Sequence, residues 1–145
     1  TDGHGNLIPI INQDVSNWRA EHLSDEVTDI IKTHYHRSLS PMDCACLFWY
    51  ARNSLFFKQN LVDDNRVFIW NYEKLMRSPQ LYFEPLQKQL SISIPTDGCR
   101  SMFSTRSIGK QGVYITPMIR DLCDSMLERL NLAHEHRYNE NKNNF

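Results

Sequence analysis

Apolar residues recur every three or four positions in several stretches of the chain, the spacing that gathers them on one face of a helix. The first such stretch contains Val27, Ile30 and Ile31. It follows Ser24, a residue type that caps helix N-termini, and it begins with two acidic residues that favour the first turn. We therefore predict an amphipathic helix from Ser24 through Tyr35.

A second helix is predicted from Ser40 to about Gln59. Ser40 can accept a hydrogen bond from an exposed amide, Pro41 suits the first helical position, and Asp43 can reach back to the cap. The helix is apolar nearly all round, a pattern typical of a helix buried on most sides. Asn60 can end it in a left-handed turn.

Two later helices begin at a hydroxyl residue followed by proline. Ser78-Pro79 opens one, with Pro85 expected to kink it, and Thr116-Pro117 opens the other. In the helix that begins at Ser78-Pro79, the residues expected to face inward are Leu81, Phe83, Leu86 and Leu90. In the helix that begins at Thr116-Pro117, they are Ile119, Leu122, Cys123, Met126, Leu127 and Leu130. Residues 1–133 are predicted to belong to one domain. The polar tail 134–145 has too few apolar residues to pack, so we expect disorder there.

The run from Val67 to Tyr72 has a different pattern. It is short, rich in β-branched and aromatic residues, and does not alternate, as in a strand covered on both faces of a parallel sheet. Parallel neighbours need crossovers of a dozen or more residues, and the chain offers only Leu7–Ile11, broken by Pro9, and Ile92–Ile94 as further strands. The sequence thus predicts an incomplete α/β fold, with its partner strands N-terminal to Thr1. The alternative is a helical protein in which residues 67–72 pack without a sheet.

Charge and composition narrow the possible partners. Sixteen Lys and Arg against seventeen Asp and Glu leave a formal net charge of -1, so no overall field attracts nucleic acid or an anionic membrane. The longest apolar stretches are too short for a membrane span. Four irregularly spaced cysteines do not suggest a disulfide framework. We predict no nucleic-acid partner and no membrane span, and a reducing, cytoplasmic location is favoured.

The segment from Thr96 to Gly112 combines glycine, hydroxyl and basic residues. Glycines let backbone amides converge, hydroxyls donate, and Arg106 and Lys110 add positive charge, a set that suits phosphate or sulfate. No Walker-type spacing is present, and a solvated loop has the same composition. From the residues alone, both interpretations stay open.

Other candidate chemistry is sparse. Cys44 and Cys46 are two residues apart, so on a helix they point in different directions and do not favour a shared zinc ion; we predict no metal site. Tyr50, Arg52 and Asn53 put polar groups in an otherwise apolar helix, where they either line a substrate pocket or serve ordinary packing. No nucleophile-base pair is evident, so the catalytic residues are unknown.

Three segments in order resemble the sulfotransferase family. They are DCACLFWYARNSLFF (43–57), RVFIWNYEKL (66–75) followed by Ser78-Pro79, and RSIGK (106–110) before a helix containing Leu122-Cys123. The likeness covers about residues 16–132. It implies the C-terminal part of a P-loop-kinase-like three-layer fold with a parallel sheet, and transfer of a sulfuryl group from 3′-phosphoadenosine 5′-phosphosulfate (PAPS) to a hydroxyl or amine acceptor.

The same resemblance assigns donor contacts. Arg106, Ser107, Gly109 and Lys110 correspond to the loop that folds over the donor's 3′-phosphate. The family's phosphosulfate loop and its usual catalytic base have no counterpart here, so we expect the chain alone to be inactive. The acceptor is not identified. The alternative is a non-catalytic helical binding or interaction module, and a truncated sheet with an exposed edge would favour self-association.

Overall fold

The computed structural model describes residues 3–64, 66–93 and 113–143. Within these ranges the secondary structure is helical and contains no strand. The helices are α1 (His4–Ile11), α2 (Asp25–His34), α3 (Pro41–Lys58), α4 (Tyr72–Arg77), α5 (Pro79–Leu90) and α6 (Pro117–Asn143). The α/β prediction, with its P-loop-kinase-like three-layer architecture and parallel sheet, is therefore wrong.

Residues 67–72 were predicted as a strand, but α4 begins at the last of them, Tyr72, and the cause is local. The side chain of Asn71 accepts a hydrogen bond from the Lys74 amide at 3.0 Å and so caps α4. Glu73 lies in the first turn, where negative charge is favourable. The second candidate strand, Leu7–Ile11, is also helical, because it forms most of α1 with Pro9 inside it. Neither apolar run therefore finds strand partners in the described chain.

Local capping signals are confirmed at α2 and α3. Ser24 Oγ accepts from the Val27 amide at 3.3 Å, and Ser40 Oγ accepts from the Asp43 amide at 3.0 Å. The chain leaves α3 through Asn60, whose φ of 52° is left-handed as predicted. These ends depend on neighbours in sequence, which is why the sequence locates them well.

The helices belong to two compact units. Unit 1 comprises the described residues up to Val67 together with Val113–Arg129. In it α1 packs against α2 and α3, and α2 packs against α3. The core residues come from these helices, two adjoining loops and the start of α6: Leu7, Ile10, Ala20, Val27, Ile31, Leu39, Cys44, Leu47, Ala51 and Ile119. Full burial of one such large aliphatic side chain contributes about 1.5–3 kcal/mol.

Position 3 in unit 1 requires glycine because of its backbone conformation and its close neighbours. Gly3 precedes α1 with φ of 78°, a left-handed conformation that costs other residues energy. A β-carbon at this position would lie 2.9 Å from Cβ of Cys44 and 3.0 Å from the carbonyl oxygen of Pro41. Only glycine lets the start of α1 approach the start of α3 this closely.

Unit 2 includes the described residues 68–93 and 130–143. Its α5 begins at Pro79 as predicted, but the inward face is different: Tyr82 is buried, whereas Leu81 and Leu90 are half exposed. The last helix extends through Asn143, into the segment expected to be disordered. His134, the first residue of that segment, is buried.

Candidate functional site

The predicted donor-phosphate residues cannot be placed. Arg106, Ser107, Gly109 and Lys110 lie outside the described residues, as does the whole stretch 94–112. Their assignment therefore stays a prediction from the sequence.

The three predicted substrate contacts lie on α3 in unit 1 and bond to their own chain. Arg52 Nη1 donates to the Trp18 carbonyl at 2.8 Å, and Asn53 Nδ2 donates to the Trp49 carbonyl at 2.8 Å. Tyr50 is half buried, and this burial raises the pKa of its hydroxyl. The Arg52 and Asn53 side chains thus bond to carbonyl groups of unit 1, and a role of the three residues as substrate contacts stays a prediction.

Arg52 belongs to a small basic and aromatic surface around Trp18. The guanidinium carbon of Arg19 lies 4.7 Å from the centre of the Trp18 ring, and that of Arg52 lies 5.5 Å away. Arg19 Nε also donates to Asn6 Oδ1 at 2.8 Å. Since both guanidinium groups bond to the chain, they orient the indole, which is 52% exposed.

A cavity of about 470 Å³ lies within unit 2. This volume falls in the range of small-molecule sites. The rings of Tyr82 and His134 form its floor; they stack with centroids 5.5 Å apart and planes 30° apart. Trp70 meets Tyr82 in an edge-on contact with centroids 6.2 Å apart. The floor is thus an aromatic surface held by packing.

The rim of the cavity carries polar groups of both charges, and its described members are Lys74, Arg77, Ser78, Leu81 and Glu135. Lys74 Nζ lies 3.5 Å from Glu135 Oε1. The Ser78 side chain does not cap α5, although it precedes that helix. Burial, together with the nearby Lys74, lowers the pKa of His134, so its ring is neutral at pH 7. Two cations against one carboxylate give the described part of the rim a net positive charge.

The cysteines of unit 1 do not supply reactive thiolates. Burial and the neighbouring Cys46 raise the pKa of Cys123 to about 12, and burial raises the pKa of Cys46 as well. Cys123 Sγ donates to the Cys46 carbonyl at 3.5 Å, and Cys44 is fully buried beside His4. Thiols in this state are weak nucleophiles and weak metal ligands. Among the residues that the structure describes, no group of three or more His, Cys, Asp or Glu is arranged to hold a metal ion.

The sequence did not single out the cavity residues. Lys74 and Arg77 are three residues apart on one short helix, a spacing that places them side by side and could have been noticed. His134 comes from the far end of the chain. Its contact with Tyr82 spans more than fifty residues, and no local pattern marks it.

No protein-family model, curated protein or solved structure matches this chain.

The described helices differ from membrane-spanning helices in length or in composition. None of them combines the length and the apolar content needed to cross a membrane.

Proposed function

We propose that this chain is part of a sulfotransferase that binds PAPS at the 3′-phosphate end. The observation that carries the proposal is the order of three segments: residues 43–57, residues 66–75 with Ser78-Pro79, and residues 106–110. Two independent features of the last segment support it. It has the glycine, hydroxyl and basic residues that an anion requires, and it lies where the resemblance assigns a phosphate contact.

The helices that flank these segments are also consistent with the proposal. α3 contains the whole of the first segment, α5 begins at Pro79, and α6 begins at Pro117, after the basic segment. The described residues lack the parallel sheet that the resemblance implies, so the proposal rests on the three segments and not on the fold. It concerns a binding role, with Arg106 and Lys110 providing charge and Ser107 and Gly109 providing donors.

Donor binding can be tested by calorimetry with adenosine 3′,5′-bisphosphate, which carries the 3′-phosphate and no transferable sulfate. We expect the 145-residue chain to bind it, and the Arg106→Ala, Lys110→Ala variant to bind at least about tenfold more weakly, since each charged hydrogen bond contributes about 1.5–3 kcal/mol. The matched control is Lys32→Ala, Arg37→Ala, which removes the same charges from exposed positions in unit 1. Equal affinities in all three proteins would contradict the assignment.

Turnover is a separate question. Sulfuryl transfer needs in-line positioning and stabilisation of charge on the reacting group, much as phosphoryl transfer does. The 145 residues contain no Walker-type loop to hold the phosphosulfate. We expect no transfer of labelled sulfate from PAPS to a phenol, alcohol or amine by this chain alone, and measurable transfer would contradict that expectation.

A second candidate is a helical binding module without catalysis. The helical character of the described residues and the cavity in unit 2 favour it. Negligible heat with the bisphosphate in both the wild-type chain and the Arg106→Ala, Lys110→Ala variant would support this candidate over the sulfotransferase.

A further inference from the structure

The unit 2 cavity has the features of a selective site for a small organic ligand. Its volume, about 470 Å³, would accommodate a single ring with one substituent. Its floor is formed by Tyr82 and His134, each only 8% exposed, so the ring surface is fixed by packing before any ligand arrives. Flat aromatic ligands pack well against such a surface.

The rim determines which polar group the ligand carries. Lys74 faces Glu135 at 3.5 Å, so these two charges largely offset each other. Arg77 is then the source of the net positive charge, and its planar guanidinium matches the two oxygens of a carboxylate. The Ser78 hydroxyl, which does not cap α5, also lines the cavity and can donate to the same group.

The rim also distinguishes between anions. A single negative charge balances the excess charge of the described rim residues, whereas a phosphate dianion would exceed it. The aromatic floor adds apolar surface that a free inorganic oxyanion does not use. Rim charge and floor together favour a monoanion attached to an apolar ring.

We propose that the unit 2 cavity binds a small aromatic carboxylic acid, with its ring against Tyr82 and His134 and its carboxylate on Arg77 and Ser78. The described residues that line this cavity are different from those assigned to the donor, and the proposal is argued from the described residues alone. Failure of the bisphosphate experiment would therefore leave it unaffected.

Benzoate is the probe, titrated into the 145-residue chain and followed by two-dimensional NMR. We expect saturable shifts at the Trp70 indole and at the amides of α4 and α5, with a Kd of about 1 mM, as suits so small a ligand. Benzyl alcohol, which has the ring without the charge, and inorganic phosphate, which has charge without the ring, should each bind more weakly. Absence of saturable shifts with benzoate, or tighter binding of phosphate, would overturn the proposal.

Two variants locate the binding. Arg77→Gln should weaken benzoate binding about tenfold, while Arg37→Gln, the same change at an exposed position in unit 1, should leave it unchanged. Leu81→Glu places a carboxylate at the rim on a half-exposed helical position, so it should keep the fold and abolish binding by repulsion. Unchanged affinity in either Arg77→Gln or Leu81→Glu would contradict the assigned site.

Discussion

The carboxylate of Asp43 accepts two hydrogen bonds from Thr116, one from its backbone amide at 2.8 Å and one from its hydroxyl at 3.1 Å. It also accepts from the hydroxyl of Ser40 at 2.8 Å. One buried side chain thus fixes the start of α3 to the residue that precedes α6. This relationship joins residues far apart in the sequence and explains how a charged group is accommodated at 3% exposure.

Replacing Asp43 with asparagine should destabilise unit 1. The amide keeps one acceptor but loses the charge that strengthens these bonds and favours the α3 N-terminus. We expect the free energy of unfolding to fall by about 2 kcal/mol, measured by urea titration of the Trp49 indole NMR signal. Asp29→Asn, at an exposed position on α2, is the matched control and should change it by less than about 0.5 kcal/mol.

The same site predicts acid sensitivity. Burial alone would raise the pKa of Asp43, but the hydrogen bonds from Thr116 and Ser40 outweigh burial and lower it below 3.8. A carboxylate with a lowered pKa stabilises the fold fully above its unfolded pKa, and this contribution is lost as the pH falls through the folded value. Comparing unfolding free energies between pH 5 and pH 2, we expect a smaller decline in Asp43→Asn than in the wild type. Parallel declines would contradict this origin.

Gly3 and Gly5 form a matched pair for testing the left-handed start of α1. Gly3→Ala should cost about 1–2 kcal/mol from its positive φ alone, and more because Cβ of Cys44 and the Pro41 carbonyl must move. Gly5 lies within α1 with nothing within 4 Å of an added β-carbon, so Gly5→Ala should stabilise by about 0.5 kcal/mol. Urea titration of the Trp49 indole signal measures the free energy of unfolding of both variants. Equal effects of the two changes would contradict the close approach.

Unit 2 should lose stability in mild acid because of His134. Burial of the ring, with Lys74 nearby, lowers its pKa below 6.5, so the unfolded chain takes up the proton more readily than the folded one. The stabilisation from the neutral ring is complete above pH 6.5 and declines as the pH falls toward the folded pKa. Urea titrations of the Trp70 indole signal should show this decline in the wild type and in His136→Gln, an exposed neighbour on α6, but much less of it in His134→Gln.

The starts of α2 and α3 could be located from the sequence because their cause is local. Ser24 and Ser40 each bond to an amide three residues later, so their capping roles could be predicted from nearby residues. The strand prediction for 67–72 is wrong although its signal is also local: the side chain of Asn71 caps α4. A β-branched and aromatic run is equally compatible with irregular packing when no strand partner is present.

The cavity and the Asp43 network could not be predicted in this way. Tyr82 meets His134, and Asp43 meets Thr116, through contacts between segments that are distant in sequence. Such pairs depend on how helices pack, and neither spacing nor composition encodes that packing directly. Asp43 was predicted to reach back to the cap, and its carboxylate does accept from the Ser40 hydroxyl, but its bonds to Thr116 had no signal in the sequence.

Unit 1 is discontinuous in sequence, since it is assembled from residues on both sides of a long intervening stretch. The intervening stretch contains α4 and α5, which belong to unit 2. Cutting the chain within that stretch would therefore divide unit 1 into two separate pieces, and Asp43 and Thr116 would then meet by association of two chains.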